Sequence, residues 1–200
     1  MKNLLIIFVK NPVLGKVKSR LAQSIGAEGA LSVYKKLLER TRETVVNLDI
    51  QKQVSYSDKL DETDLWGNDI FRKAVQKGEN LGERMYHAIE NGHKQSFQKI
   101  CLIGSDIFEL TEEIIKDAFK LLDHYDIVLG PSEDGGYYLI GMKTPVKKIF
   151  ENKKWGTNSV LHETIKDIRR IGLKFELLPT LNDIDVLEDI KDVDRDFLLS

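Results

Sequence analysis

The chain of 200 residues reads as an α/β protein: one domain over residues 1–200, with a mostly parallel central sheet in a Rossmann-like three-layer α/β/α arrangement. Three observations predict this. Short continuous apolar runs recur, as in strands covered on both faces. Stretches with apolar residues at helical spacing alternate with them. The loops that follow the apolar runs collect charged residues and glycines, as expected where a ligand crevice opens at the carboxyl ends of strands.

Residues 4–9 form the first apolar run and the first strand. Residues 28–46 carry Leu31, Tyr34, Leu37, Leu38 and Val45 at helical spacing. Weaker strand patterns cover 54–56 and 71–75, with Trp66 in a polar connector between them. A helix is expected over 81–97, where Met85, Ala88 and Ile89 share a face. Residues 100–103 make another buried strand. A helix over 111–122 follows, with Thr111 as N-cap ahead of acidic residues that suit the helix dipole. Strands at 127–129 and 137–142 flank a glycine-rich loop. A helix at 160–171, an extended stretch at 175–178 and a final helix at 186–193 complete the chain.

A hydrophobic content of 42 % in a chain of this length supports a substantial core. The formal net charge of -2 argues against a nucleic-acid coat. Cys101 is the single cysteine and sits inside an apolar run, which excludes an internal disulfide and suits a buried thiol in a reducing compartment. The N-terminal apolar run is too short for a membrane span or a signal-peptide core. A cytoplasmic location without a membrane span is expected, and the sequence leaves the oligomeric state open.

Three loops carry the chemistry. GPSEDGGYYLIG, residues 130–141, places Ser132, Glu133 and Asp134 at a strand end, with Gly135 and Gly136 leaving room for close approach to the backbone. A hairpin turn alone accounts for the Asp-Gly pair but not for the additional acids. FVKNPVLGKVKSRL, residues 8–21, sets Lys10, Lys16, Lys18 and Arg20 around a turn at Pro12 and Gly15. Backbone donors, a flexible glycine and several cations are what a phosphate-binding loop needs. Lys16 and Lys18 suit phosphate as point charges and Arg20 as a planar fork, with Lys18 and Arg20 expected at solvent-accessible positions. Neither the P-loop spacing nor Gly-x-Gly-x-x-Gly is present. In the third loop Asp106 follows the strand at 100–103, where a carboxylate must be exposed, hydrogen-bonded or metal-bound. It suits Mg²⁺ or Mn²⁺ held against a diphosphate, although a complete Asp-x-Asp is absent and a helix-capping role is the alternative.

With GENLGERM (78–85), IGSDIFEL, Trp155-Gly156-Thr157 with the VLHET that follows, and LNDIDVLEDI (181–190), these segments resemble bacterial glycosyltransferase-like proteins of the nucleotide-diphospho-sugar transferase, or GT-A-like, fold, a group associated with radical-SAM and selenodomain proteins. The resemblance runs through nearly the whole chain. Phe108 departs from the pattern where proline is common, and Asn80 where an acid is common.

The resemblance implies a nucleotide on the N-terminal half of the sheet, a divalent cation, Mg²⁺ or Mn²⁺, at Asp106, and a loop of Glu133, Asp134, Gly135 and Gly136 facing the sugar, phosphate or acceptor. Lys10, Gly15, Lys16, Lys18, Arg20 and Arg84 are the expected phosphate contacts. Asp134 is the expected catalytic residue, either handling an acceptor hydroxyl or serving as a further metal ligand. Asp183 and Asp185 either complete the metal site or cap the last helix. His162 is read as a surface residue.

The function expected from sequence is therefore a metal-dependent glycosyltransferase that takes a nucleotide sugar and a small-molecule acceptor. Its alternatives are a nucleotidyltransferase acting on a nucleoside triphosphate and a phosphorylated substrate, or a silent nucleotide-binding protein.

Overall fold

The computed structural model describes residues 2–199, with the backbone alone at 192 and 193. Seven strands form one sheet: β1 (Asn3–Val9), β2 (Gln51–Tyr56), β3 (Phe71–Val75), β4 (Lys99–Ile103), β5 (Ile127–Pro131), β6 (Tyr137–Met142) and β7 (Phe175–Leu177). Their order across the sheet is β3-β2-β1-β4-β6-β5-β7, and β6 alone runs antiparallel to its neighbours. The expected mostly parallel sheet is thus observed.

Alternation along each strand explains the continuous apolar runs. Leu5, Ile7 and Val9 of β1 enter one core cluster, whereas Leu4, Ile6 and Phe8 enter a second on the opposite face. Cys101 and Ile103 of β4 join the first cluster, and Ile100 and Leu102 the second. Helices α1 (Ala22–Val46) and α3 (Glu112–Leu121) cover the first face with Tyr34, Leu38, Ile115 and Phe119. Helices α2 (Leu81–Lys94) and α4 (Val160–Arg170) cover the second with Met85, Ile89 and Ile168. Both faces therefore exclude water, and polar alternation along these strands would be destabilising.

Local signals set several boundaries. Thr111 accepts a hydrogen bond from the Ile114 amide, which is the expected N-cap of α3. Asn80 caps α2 in the same way through the Glu83 amide, so the departure from an acid at this position supplies a helix cap. Helix α1 breaks at Gly26, whose φ of +76° is non-helical. The expected helix over 28–46 is the portion beyond that break.

Trp66 lies in the connector between β2 and β3, as expected, and adds to the core: it is buried and meets Phe71 edge-on at 5.0 Å between ring centroids. One expectation needs correction. The helix expected over 186–193 is instead a short 3₁₀ turn, Leu187–Asp189, followed by α5 (Asp192–Leu198). Phe108 packs near this end of the chain, with its ring 5.7 Å from that of Phe197. Among the described residues, no helix is long and apolar enough to cross a membrane.

Candidate active site

A cleft of about 370 Å³ opens where the parallel strands end. Lys10 follows β1, Ser57 follows β2, Gln76 follows β3 and Asp106 follows β4, and all four line it. Because β6 is antiparallel, its first residue, Tyr137, reaches the same end of the sheet, as do Ser132, Asp134 and Gly136 of the β5–β6 turn.

At the cleft floor the Lys18 ammonium lies 2.9 Å from Asp106 Oδ2. Lys18 is buried and its backbone takes a left-handed φ of +48°, so the expectation of an accessible lysine is corrected. The turn after β1 folds the chain inward at Val17 and Lys18, both buried, and leaves Gly15 and Lys16 outside. About 40 % of the Asp106 side chain remains open to the cleft. Burial works to raise the Asp106 pKa, but the charge and hydrogen bond of Lys18 outweigh it and hold the carboxyl below its usual range.

Asp183 reaches the same place because the Ile184 amide donates to the Asp106 carbonyl at 3.1 Å. Its pKa is pushed up to about 6, first by burial and then by the charges of Asp134 and Asp106. Three carboxylates thus share one cleft and are offset by a buried lysine. Asp134 Oδ1 accepts from the Gly136 amide at 2.7 Å, which fixes it within the turn. That turn is held on α4, since the Leu161 amide donates to the Gly135 carbonyl at 2.9 Å.

Hard carboxylate oxygens are the donor chemistry of Mg²⁺ or Mn²⁺. Among the described residues, however, no three carboxylate, histidine or thiol groups are already gathered at coordinating range. The donors fit such a cation in kind, with Lys18 seated on one of them.

Not every expected residue gathers here. Arg20 donates to Asp185 at 2.8 Å, and neither lines the cleft. Asp185 and Asp183 do not cap the last helix either: the carboxylate at this bend is that of Asp189, which accepts from the amides of Asp185 and Val186. Glu133 is exposed outside the lining, and Gly135 lies behind it. Arg84 lines the cleft with its Nε spent on the Gly78 carbonyl at 3.0 Å. Trp155 and Thr157 also line it, whereas His162 is exposed away from it.

Two cleft residues that sequence reasoning missed hold its loops together. Tyr34 Oη accepts from the Lys10 amide at 2.8 Å, donates to the Lys10 carbonyl at 3.2 Å and lies 3.3 Å from Ser105 Oγ. It pins the loop after β1 to the loop after β4, yet in sequence it is one more apolar-face residue of α1. Gln76 donates through Nε2 to the carbonyls of Ser55 at 2.9 Å and Val9 at 3.4 Å. Two carbonyl partners fix the amide orientation and leave its oxygen directed elsewhere.

Residues 40–157 match the family described as "Uncharacterized protein conserved in bacteria (DUF2064)". The chain belongs to that family. A 2-phospho-L-lactate guanylyltransferase of Methanocaldococcus jannaschii is 24 % identical over 196 residues, covering 94 % of this chain and 81 % of the relative. A crystal structure from Desulfovibrio desulfuricans G20, assigned as a nucleotide-diphospho-sugar transferase, superposes with a TM-score of 0.88 at 29 % identity, covering 98 % of this chain and 91 % of the other. The inositol-1-phosphate CTP transferase of T. maritima shares the fold, with a TM-score of 0.57 at 15 % identity over 98 % of this chain and 95 % of its own. The nucleotide-diphospho-sugar transferase-like fold and the group inferred from the sequence motifs are both borne out.

Proposed function

We propose that this transferase is a nucleotidyltransferase: it joins a nucleoside monophosphate unit from a triphosphate to a small phosphorylated acceptor. The observation that carries this reading is the likeness of 94 % of the chain to 2-phospho-L-lactate guanylyltransferases, and the meeting of Lys10, Lys18, Asp106, Asp134 and Asp183 in one cleft at the strand ends supplies the charges such a reaction needs. The order of the two enzyme readings made from sequence is thereby reversed. Relatives matched over 94 % of this chain are 2-phospho-L-lactate guanylyltransferases, whereas the reading as a transferase of nucleotide sugars leans on the Desulfovibrio desulfuricans neighbour.

In this reaction a phosphate oxygen of the acceptor attacks the α-phosphorus of the triphosphate. The new P–O bond forms as the bond from the α-phosphorus to the bridging oxygen breaks, and the electron pair leaves with pyrophosphate. An ionised phosphate needs no general base, so Asp134 serves as a fixed charge rather than as a proton acceptor. Lys10 and Lys18 supply positive charge to phosphate oxygens as negative charge shifts toward the leaving group. Mg²⁺ or Mn²⁺, held by Asp106 with Asp183 and Asp134, would add charge neutralisation at the phosphates. Lys16 and Arg20 lie outside the cleft lining and act at most on its approach. Arg84 is the rim cation best placed for an anionic acceptor. A cytoplasmic setting, where the buried Cys101 thiol stays reduced, belongs to the same reading.

Product analysis decides between the readings. The protein is incubated with each nucleoside triphosphate and a panel of phosphorylated small molecules, and separately with nucleotide sugars, with Mg²⁺ or Mn²⁺ present. Pyrophosphate release that requires an acceptor supports nucleotidyl transfer. Release of nucleoside diphosphate from a nucleotide sugar, without pyrophosphate from any triphosphate, would return glycosyl transfer to the lead.

A further inference from the structure

The ion pair at the cleft floor places a cation on the carboxylate best suited to hold a different one. Lys18 Nζ lies 2.9 Å from Asp106 Oδ2, and the lysine side chain is 5 % exposed. Its charge also bears on Asp183. The backbone adopts φ +48° to bring the side chain there, an uncommon conformation for a residue other than glycine. A lysine held in this way is not a free phosphate hook, since its charge is already used.

We propose that Lys18 is a positioning residue that stands in for the divalent cation, so that the cation enters Asp106 only when nucleotide phosphates draw the lysine away. The proposal rests on the reading of Asp106 as a cation ligand. A divalent ion on Asp106 Oδ2 would sit within a few ångströms of the ammonium, and like charges at that range disfavour joint occupancy. Phosphate oxygens offer the ammonium new acceptors and leave Asp106 to the metal ion. Lys18 thereby makes cation and triphosphate binding favour one another, and that coupling is reciprocal. Lys10 differs: its charge reaches Asp106, but its side chain is exposed and makes no ion pair with that carboxylate.

The test uses Mn²⁺ alone, without nucleotide, with bound and free ion measured by electron paramagnetic resonance on the full-length protein. Lys18→Met is expected to bind Mn²⁺ at least about tenfold more tightly than wild type. Lys18→Gln, which keeps a hydrogen-bond donor for Asp106 without the charge, is expected to do the same. Lys10→Met removes a neighbouring charge without freeing the carboxylate, and is expected to change Mn²⁺ affinity by less than about threefold. Melting curves identify which Lys18 variant is folded and therefore informative.

Metal-free binding of a triphosphate, measured by calorimetry in the presence of chelator, is expected to weaken in both Lys18 variants. Folded Lys18 variants that bind Mn²⁺ no better than wild type would overturn the stand-in role, as would an equal gain in Lys10→Met. Adding Asp106→Asn to Lys18→Met separates the two levels of inference. Loss of the tight site supports both. Retention of that site removes Asp106 from the cation reading itself.

Discussion

Asp183 carries the most costly charge in the cleft. Its folded pKa of about 6 exceeds the ordinary 3.8, because burial and the charges of Asp134 and Asp106 oppose ionisation. A raised carboxyl pKa contributes stability that is full below the unfolded value and lost as pH rises through the folded one. In chelator, Asp183→Asn should therefore melt higher than wild type at pH 8 and at nearly the same temperature at pH 3.5. The gain at pH 8 is at most roughly 3 kcal/mol, since each pKa unit corresponds to about 1.4 kcal/mol. Equal melting shifts at both values would show that ionisation of Asp183 is not the cause. A second residue-scale prediction concerns Tyr34→Phe, which removes the acceptor of the Lys10 amide. Stability should fall by about 1–3 kcal/mol. Triphosphate affinity, followed by calorimetry below the melting temperature, should fall several-fold as the Lys10 loop loosens; unchanged affinity would confine Tyr34 to the core. Asp106 and Lys10 were legible in sequence because they follow apolar runs. The pairing of Lys18 with Asp106 was not, because it joins residues 88 positions apart through a left-handed turn that no local pattern announces.

At the scale of elements, the β5–β6 turn combines the two placements the sequence suggested for one motif. It is a hairpin connection, with the Ser132 amide donating to the Gly136 carbonyl at 3.1 Å, and it also delivers Asp134 to the cleft. Gly135 is the constrained position. Its φ is +87°, and an added Cβ would stand 2.3 Å from the Asn158 carbonyl oxygen. Gly135→Ala should cost at least about 1–3 kcal/mol through backbone strain, with a further penalty from that clash. It should also displace Asp134, so turnover should fall further than the melting temperature alone explains; full activity in a folded variant would contradict this. The same scale explains why β2 was only half visible in the sequence. The strand begins at Gln51, but Lys52 and Gln53 are polar and read as loop. Both are buried, with Lys52 Nζ donating to the Val46 and Leu48 carbonyls and Gln53 to Ser55 Oγ. Such satisfaction depends on chain segments that hydropathy cannot bring together. The burial of Trp66 was not legible for a related reason. Its burial follows from docking on Phe71 in a connector braced by the Lys73–Asp64 pair, a tertiary arrangement with no periodic signature.

Across the whole molecule, the fold was legible where both faces of the sheet are covered, because β1, β4 and β5 then become unbroken apolar runs. The position of the cleft followed from the same logic. Strands that run parallel end together, and their loops converge whatever their separation in sequence. The choice between glycosyl and nucleotidyl transfer was not legible, since both reactions ask the same loops for cations and carboxylates around a nucleotide's phosphates. A ligand seated across the ends of β1 to β6 touches both helical layers, so its binding should stabilise the sheet as a unit. A triphosphate with Mn²⁺ at about 100 times its dissociation constant adds roughly 2.7 kcal/mol, equivalent to about 5–10 °C in a domain of this size. Calorimetric scans should show one transition moving upward by that amount, and not a new one splitting off. Asp106→Asn should reduce the shift to what the triphosphate produces in chelator, because the metal-dependent part has lost its carboxylate. A wild-type shift in that variant would place the cation elsewhere, and a split transition would mean that the ligand engages only part of the fold.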